Sequence, residues 1–339
     1  MIYNIWNNKG GTGKTSLSFQ IISEYAIQHS EKNVLVIDLC PQANLSELLL
    51  GGLVGNGGNH LETLCQSNPR KTVGGYFENR IQSTFSHAVF ASQDYVSKPS
   101  RFNPNIPDNV DLLAGDRLVE IQSTSFSSLA NTQLPGVNPR LAVLSWIKEF
   151  VERSSLEYDT VFIDSNPSFA LYTQMGILAS EKLIVPVMAD DSSRRAIINL
   201  FTLIYGLNTP SPIYAHYQFA GIVKNAGLQL PQVHLIIRNR ITQYMGEASA
   251  YGTVLNTISN ELSSVMVSNP SFFDFQILND GVVSVKDFGT TGVVAFAEGK
   301  PFSVLAPGMH NISGNLTRVN QDMLLDCRNA VNQIVGKIQ

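Results

Sequence analysis

The sequence of 339 residues predicts an α/β fold in which a mostly parallel, doubly wound sheet is flanked by helices. Two observations support this prediction. Short runs that are apolar throughout recur along the chain, and several end in an acidic residue, as strands buried on both faces do. Segments with helical periodicity lie between several of these runs, and such strand–helix alternation is typical of a parallel sheet.

The individual elements follow from the period of the apolar residues. Continuous apolar runs predict strands at 2–6, 33–38, 110–115, 159–164, 182–187 and 233–239. Apolar residues recurring every three to four positions predict helices at 14–29, 140–153, 194–205 and 321–338.

Residues 51–109 differ from the rest because they are rich in glycine, asparagine and proline, with one short helical pattern at 73–83. We interpret this stretch as an elaborated connection between strands. The whole chain, 1–339, is therefore predicted to be a single domain, since its length allows one large core.

The last predicted helix, 321–338, has a distinctly apolar side. That side consists of Leu324, Cys327, Val331, Ile334 and Val335. A helix lying on a membrane is the alternative, but its polar side carries only Arg328 and Lys337 as cations. We expect the helix to dock on the core.

Composition excludes several classes of protein. Hydrophobic residues make up 44% and charged residues 15%, a globular balance. No apolar run is long enough to cross a bilayer, and no signal peptide is visible. The three cysteines are far apart in sequence and support neither a disulfide framework nor a C-x-x-C metal site, so a cytoplasmic location is expected. The net charge of −4 argues mildly against a dedicated nucleic-acid binder, although residues 194–339 are slightly basic.

The stretch NNKGGTGKTSLS, residues 7–18, predicts a phosphate-binding loop between the first strand and the first helix. Glycine allows the sharp turn that brings backbone N–H groups to phosphate oxygens, and the helix start adds a positive dipole end. Lys14 would reach the β- and γ-phosphates, and the Thr15 hydroxyl would ligate Mg²⁺. The predicted phosphate contacts are Gly10, Gly11, Thr12, Gly13, Lys14, Thr15 and Ser16.

Two acids complete the predicted magnesium site. Asp38 and Asp164 end two of the predicted strands, where carboxylates of phosphate-loop enzymes hold Mg²⁺. Either acid taken alone could instead cap a helix or close a turn. Together with Thr15 they are our predicted metal-binding residues.

The segments KGGTGKTS, DLCPQANLS and FIDSNPS, in that order, resemble the ParA/MinD family of deviant Walker A (SIMIBI-type) phosphate-loop ATPases, and its ParA (Soj-like) partition branch in particular. PVMADDSSRRAIINLFTLI and FGTTGVVAFAEGKPFSVLAP extend the resemblance over nearly the whole chain. Asn8 stands where the ordinary loop has its first glycine, and Lys9 is an additional lysine. The resemblance implies that Lys9 touches the ATP phosphates of a partner subunit, so that Mg·ATP supports a homodimer.

The chain departs from the family pattern at two positions. Cys40 replaces the second acid of D-x-D-P-Q, the acid implied to position the attacking water, so we expect hydrolysis to be slow, to depend on a partner, or to use another group. Asn166 stands where the family usually has proline. The implied catalytic residues are thus Lys9, Lys14, Asp38 and Cys40. The resemblance also implies that Asn239 contacts the adenine base.

The ParA branch implies binding to non-specific DNA in the ATP state, hence nucleoid association, and a separate stimulating partner that is ParB-like or a cargo adaptor. The candidate DNA contacts are Arg194, Arg195, Lys224, Arg238, Arg240 and Arg318. Two alternatives on the same scaffold stay open, a MinD-like ATPase that cycles on a membrane and an ATP-dependent metabolic enzyme. A third, an electron carrier with a metal cluster held by cysteines, does not fit the three cysteines present.

Overall fold

The computed structural model describes residues 1–86, 89–154, 158–209, 211, 213, 218–241 and 250–338. Within these residues, seven strands form one parallel sheet in the order β3-β2-β4-β1-β5-β6-β7. The strands are β1 (Ile2–Ile5), β2 (Val34–Asp38), β3 (Val110–Leu113), β4 (Thr160–Asp164), β5 (Lys182–Val187), β6 (Gln232–Ile241) and β7 (Val282–Lys286). The predicted parallel sheet and its first six strands are therefore confirmed.

Helices cover both faces of the sheet. They are α1 (Lys14–Gln28), α2 (Asn44–Leu49), α3 (Gly57–Gln66), α4 (Val73–Gln82), α5 (Leu118–Ala130), α6 (Pro139–Leu144), α7 (Trp146–Glu152), α8 (Leu171–Ala179), α9 (Asp191–Tyr205), α10 (Phe219–Asn225), α11 (Ala250–Ser268), α12 (Gly289–Glu298) and α13 (Gln321–Val335). An antiparallel pair, β8 (Gly308–Ile312) and β9 (Asn315–Val319), forms a separate hairpin beside α12.

The two faces bury separate apolar cores. One core joins residues of α1, α2, α12 and α13 to the sheet, and the apolar side of α13 is buried in it. The other joins residues of α4, α5, α7, α8 and α9 to the opposite face. The strands between them are almost entirely buried, which explains their uninterrupted apolar sequences.

The parallel arrangement gathers the chemistry-bearing segments at one edge of the sheet. Because the strands run in the same direction, their carboxyl ends meet there. The segments after β1, β2, β4 and β5 carry the glycine-rich loop and the strand-end acids. In the register of β2 and β4, Asp38 lies directly beside Asp164.

Several local features, among them the β8–β9 hairpin, differ from the sequence predictions. The stretch 51–109 contains α3 as well as α4, although Gly57 and Gly58 at its start weaken the helical pattern. The helix predicted at 140–153 is divided at Ser145, whose Oγ donates a hydrogen bond to Leu141 O at 2.9 Å. A serine bonding back to the preceding turn often bends a helix. The edge strand β7 was not predicted.

Candidate nucleotide-binding site

The phosphate loop occupies residues 7–13, between β1 and α1. Its start is fixed by Asn7, which donates to Pro186 O at 2.7 Å and accepts from Lys9 N at 3.1 Å. Gly11 and Gly13 have φ angles of 75° and 82°, a region that side chains other than glycine rarely adopt. The loop therefore has the shape that its glycines predict, with α1 beginning immediately behind it.

Asn239 at the end of β6 holds this loop from the side. Its Nδ2 donates to Thr12 O at 2.9 Å, and its Oδ1 accepts from Arg240 N at 2.9 Å. A Cβ atom on Gly13 would lie 2.2 Å from Asn239 Nδ2, so glycine is required there for space as well as for backbone conformation. The side chain is 3% exposed. The observed contact thus differs from the predicted one with adenine, which stays a prediction.

Lys14 lies buried beneath the loop and donates from Nζ to Lys9 O at 3.0 Å. Burial lowers its pKa to about 8, while the nearby Asp164 and Cys40 act in the opposite direction. A buried ammonium group with a lowered pKa is stabilised when an anion binds next to it. Lys14 is consequently suited to the phosphate contact predicted for it.

The two strand-end acids form a buried pair held by hydroxyl groups. Ser46 donates to Asp38 Oδ2 from both Oγ and N, at 2.8 and 3.0 Å. Ser18 Oγ donates to Asp164 Oδ1 at 2.8 Å, and Thr15 Oγ1 lies 3.3 Å from Asp164 Oδ2. Burial raises the pKa of both carboxyl groups, and the charge of Asp38 raises that of Asp164 further.

These residues fit a magnesium ion. Two carboxylates that share a buried site without enough compensating charge need a cation, and carboxylate and hydroxyl oxygens are the ligands that Mg²⁺ prefers. Magnesium at phosphate sites commonly uses only one or two carboxylates, with water and phosphate oxygens filling the remaining positions. In the described part of the chain, no group of three or more His, Cys, Asp or Glu residues is placed to hold a metal. The pair therefore fits an ion that arrives with a nucleotide.

Lys9 points away from its own phosphate loop. Its Nζ forms an ion pair with Asp190 Oδ2 at 2.5 Å and donates to Ser193 Oγ at 3.2 Å, both at the start of α9. Although partial burial works against it, the hydrogen bonds from Lys9 and Ser193 lower the pKa of Asp190 to about 2. The Lys9 side chain keeps 20% of its surface exposed. In the single chain, Lys9 thus pairs with residues of its own subunit.

The two positions that depart from the family pattern are in contact. Asn166 Nδ2 donates to Cys40 Sγ at 3.8 Å. Burial, reinforced by the charge of Asp38, raises the pKa of Cys40 to about 12. A thiol with so high a pKa is protonated at neutral pH and is not suited to act as a base. All three cysteines are free.

An open cleft of about 610 Å³ begins beside Thr15 and Ser16. It runs between α2, α3 and α12, where Phe296 forms part of its wall. Its size allows the remainder of a nucleotide to extend from the phosphate loop.

The six candidate DNA contacts do not form one basic face in this chain. Arg194 pairs with Asp191 and Glu261, and Arg195 pairs with Asp191. The remaining four are separately placed: Arg238 is half-buried and donates to Ser259, Arg240 lies 3.8 Å from Asp287, Lys224 lies in α10, and Arg318 lies in the hairpin. Arg194 follows β5 and therefore lies near the carboxyl ends of the strands. Lys224 precedes β6 and lies towards their amino ends.

Sequence reasoning missed the residues that support the site. Ser46, Ser18 and Asp190 each contact a predicted site residue. Ser46 and Asp190 lie inside segments that carry the family resemblance, but nothing in a sequence shows which hydroxyl or carboxyl group meets which partner.

Comparisons with known proteins agree with this geometry. The sequence profile of the AAA domain family matches residues 1–210. The chain is 29% identical over 185 residues to the virulence plasmid ParA family protein pGP5-D of Chlamydia muridarum, covering 55% of this chain and 54% of that protein. It is 29% identical over 209 residues to the cell division protein PomZ of Myxococcus xanthus, covering 59% and 50%. The chain thus spans about half the length of the curated relatives it matches.

Solved structures show the same fold. An ATP complex of Cyanothece McdA has a TM-score of 0.61 at 15% identity, covering 100% of this chain and 97% of that one. A protein of Borrelia burgdorferi B31 described as a plasmid partition protein, bound to AMPPNP, has a TM-score of 0.54 at 15% identity and covers 99% of each chain. At these identities the likeness establishes the fold. Among the described helices, none has the length and apolar character that a bilayer crossing requires.

Proposed function

The chain belongs to the ParA/MinD-type phosphate-loop ATPases, with the AAA domain profile covering well over half of it, and from that premise we propose that it is an Mg·ATP-dependent ATPase that dimerises when ATP binds. In this proposal the dimer partitions or positions a cargo, which is DNA or a protein assembly. The residues from Gly10 to Ser16, which include Lys14, bind the triphosphate. Asp38, Asp164 and Thr15 hold the magnesium ion.

The observation that carries the proposal is the position of the two lysines. Lys14 lies under its own loop, whereas the Lys9 ammonium group is at the loop's edge, paired with Asp190 and partly exposed. Lys14 is directed to the phosphates of its own subunit, whereas the Lys9 ammonium group is directed to Asp190. Lys9 is free to serve the phosphates of a second copy once it leaves Asp190.

This arrangement links nucleotide to association. A cation placed against phosphates in a closed interface is attracted far more strongly than in water, because the effective dielectric constant is lower. The target of Lys9 exists only when the partner holds ATP. Bound ATP therefore stabilises the dimer, and dimerisation must in turn tighten ATP binding.

Sedimentation velocity of the full chain with Mg·ATP, Mg·ADP or no nucleotide tests the proposal. We expect a dimer with Mg·ATP and a monomer in the other two conditions. Lys9→Ala should stay monomeric with ATP while still binding it. A wild-type protein with the same mass in all three conditions would overturn the proposal.

Non-specific DNA is the track we propose for the ATP dimer. The support is the family membership alone, because the basic residues of one subunit are dispersed and several are paired within the chain. Dimerisation would bring two such sets together. Electrophoretic mobility shifts on unrelated DNA, with ATP against ADP and at two salt concentrations, test this step, since phosphate contacts predict steep salt dependence. Liposomes under the same conditions test the membrane alternative.

A separate partner protein is the last component of the proposal. Cys40 is a neutral thiol where the family has an acid, so we expect slow basal turnover that a ParB-like protein or cargo adaptor accelerates. Basal turnover with and without the product of a neighbouring gene measures this dependence. A basal rate that no such protein changes would contradict it.

A further inference from the structure

The contact between Cys40 and Asn166 has a role that the sequence did not indicate. We propose that Asn166 is the residue that orients the attacking water in ATP hydrolysis, and that the Cys40 thiol holds its amide in position. The inference rests on the proposed function, because it concerns the reaction of that same site.

Hydrogen bonds hold both the backbone and the side-chain amide of Asn166. Its backbone carbonyl accepts from the fully buried Trp6 Nε1 at 2.9 Å and from Thr173 Oγ1 at 3.4 Å. Ser168 N donates to Asn166 Oδ1 at 2.9 Å. The remaining contact, Nδ2 to Cys40 Sγ, directs the amide towards the loop that follows Asp38.

The location is suitable for acting on the terminal phosphate. Asn166 follows the magnesium-site acid Asp164 by two residues, and Cys40 follows Asp38 by two. Oγ1 of Thr15, the residue after the phosphate-binding lysine, lies 3.3 Å from Asp164 Oδ2, and Cys40 N donates to Asp38 Oδ1 at 3.0 Å. Asn166 and Cys40 are only half-buried. The pair therefore lies beside the two magnesium-site acids and is partly open to ligand and water.

An amide is chemically adequate for this task. In other phosphate-loop NTPases a glutamine side chain orients the water by accepting one of its hydrogen bonds. Asn166 Oδ1 has a second lone pair available besides the one that Ser168 N uses. The Cys40 sulfur is a weak acceptor, which suffices to complete the placement that Ser168 N gives the amide but not to orient water alone. In this proposal, Cys40 and Asn166 together do what a single carboxylate at position 40 does in the family pattern.

The step itself is ordinary hydrolysis. The water oxygen forms a bond to the γ-phosphorus as the bond to the β–γ bridging oxygen breaks, and ADP leaves with that electron pair. One water proton stays on the inorganic phosphate and the other is released to solvent. Asn166 supplies orientation and no proton transfer, so its removal should lower kcat and leave KM unchanged.

The test measures steady-state turnover, binding of a fluorescent ATP analogue and sedimentation on the same samples. Asn166→Ala should lower kcat at least about tenfold with unchanged analogue affinity and an intact ATP dimer. Asn166→Ser, which can keep the hydrogen bond to Ser168 N, should show the same loss and guards against misfolding. Asn131→Ala, the same substitution at an exposed asparagine that follows α5 and donates to Ser127 O, serves as the control and should keep wild-type turnover. Adding Cys40→Asp to Asn166→Ala should restore turnover, because a carboxylate replaces the lost acceptor.

Wild-type kcat in both Asn166 variants would overturn the inference, as would failure of Cys40→Asp to restore turnover in the Asn166→Ala background. A wild-type chain that dimerises with ATP but shows no hydrolysis in a single-turnover experiment would also overturn it. Absence of an ATP dimer in the wild type would instead contradict the proposed function, so the two failures are distinguishable.

Discussion

At the residue scale, the site consists of charges that are incompletely balanced until a ligand binds. Asp38 and Asp164 are buried side by side, and Lys14 is buried beside them. Hydroxyl and backbone donors reduce the cost of burying the two carboxylates but do not remove it. The buried charges that suit these residues to bind magnesium and phosphate therefore lower the stability of the protein without its ligand.

This lower stability gives a pH-dependent prediction for Asp164→Asn. The folded-state pKa of Asp164 is raised from 3.8 to about 7, so the carboxyl group favours folding at low pH and loses that contribution as the pH rises through 7. In the absence of nucleotide and Mg²⁺, Asp164→Asn should raise the free energy of unfolding at pH 8 by at least about 1 kcal/mol, since one pKa unit corresponds to about 1.4 kcal/mol. Urea unfolding at pH 5 and pH 8 measures the effect.

The gain should be smaller at pH 5, because the window in which the folded carboxyl group stays protonated while the unfolded one ionises begins at pH 3.8 and ends at about pH 7. The variant should also lose magnesium-dependent ATP binding. Lower stability of Asp164→Asn at pH 8 would contradict the account, because the acid would then be compensated in the free protein.

Lys9 and Asp190 give a second prediction at this scale. Asp190→Asn keeps the helix cap, which Asn forms as well as Asp, but removes the ion pair that retains Lys9. Because partly exposed pairs contribute about 0.2–1 kcal/mol, the ATP concentration for half-maximal dimerisation should fall up to about fivefold. Sedimentation across an ATP titration measures the shift.

The matched control is Asp191→Asn, because the adjacent Asp191 pairs with Arg194 and Arg195 and not with Lys9. Equal shifts in both variants would indicate a general charge effect. No shift in Asp190→Asn would mean that the observed pair does not restrain Lys9.

At the element scale, the terminal helix α13 is a structural part of the core. Leu324, Cys327, Val331, Ile334 and Val335 are buried in it. Its N-terminus is capped by Asn320, whose Oδ1 accepts from the N–H groups of the first turn. A helix with its apolar side buried this way has little apolar surface left for a membrane.

Ile334→Ala should therefore lower the free energy of unfolding by about 2–5 kcal/mol, the usual cost of such a truncation in a core. Leu325→Ala is the matched control on the same helix, since Leu325 is 55% exposed, and it should change stability by no more than about 0.5 kcal/mol. Chemical denaturation checks both variants. Equal, small effects would mean that α13 is not docked in solution.

Elements buried on both sides could be predicted from sequence, whereas peripheral ones were missed for physical reasons. The inner strands are apolar throughout, so their pattern is unmistakable. The edge strand β7 and the β8–β9 hairpin are partly exposed, and their mixed sequences lack a clear period. Glycines at the start of α3 hide its helical pattern in the same way.

At the scale of the whole molecule, the parallel sheet brings distant sequence segments to one edge. The phosphate loop and the strand-end position of both acids could be predicted, because strand ends and glycine spacing are local signals, while the roles of these residues stay predictions. The contacts of Lys9 with Asp190, of Asn239 with Thr12 and of Asn166 with Cys40 could not be predicted. Each joins residues more than 100 positions apart through side-chain geometry that no sequence pattern encodes.

The central claim is that Lys9 acts on the nucleotide of a second subunit, and complementation between two inactive chains tests it most directly. Lys14→Ala should fail to bind ATP but keeps Lys9, whereas Lys9→Ala should bind ATP but lacks the lysine for its partner. Neither chain alone should hydrolyse ATP. Mixed, they should recover turnover that rises with the concentration of the Lys14→Ala chain, because each mixed dimer contains one complete site. Wild-type turnover by Lys9→Ala alone, or no recovery on mixing, would contradict the account.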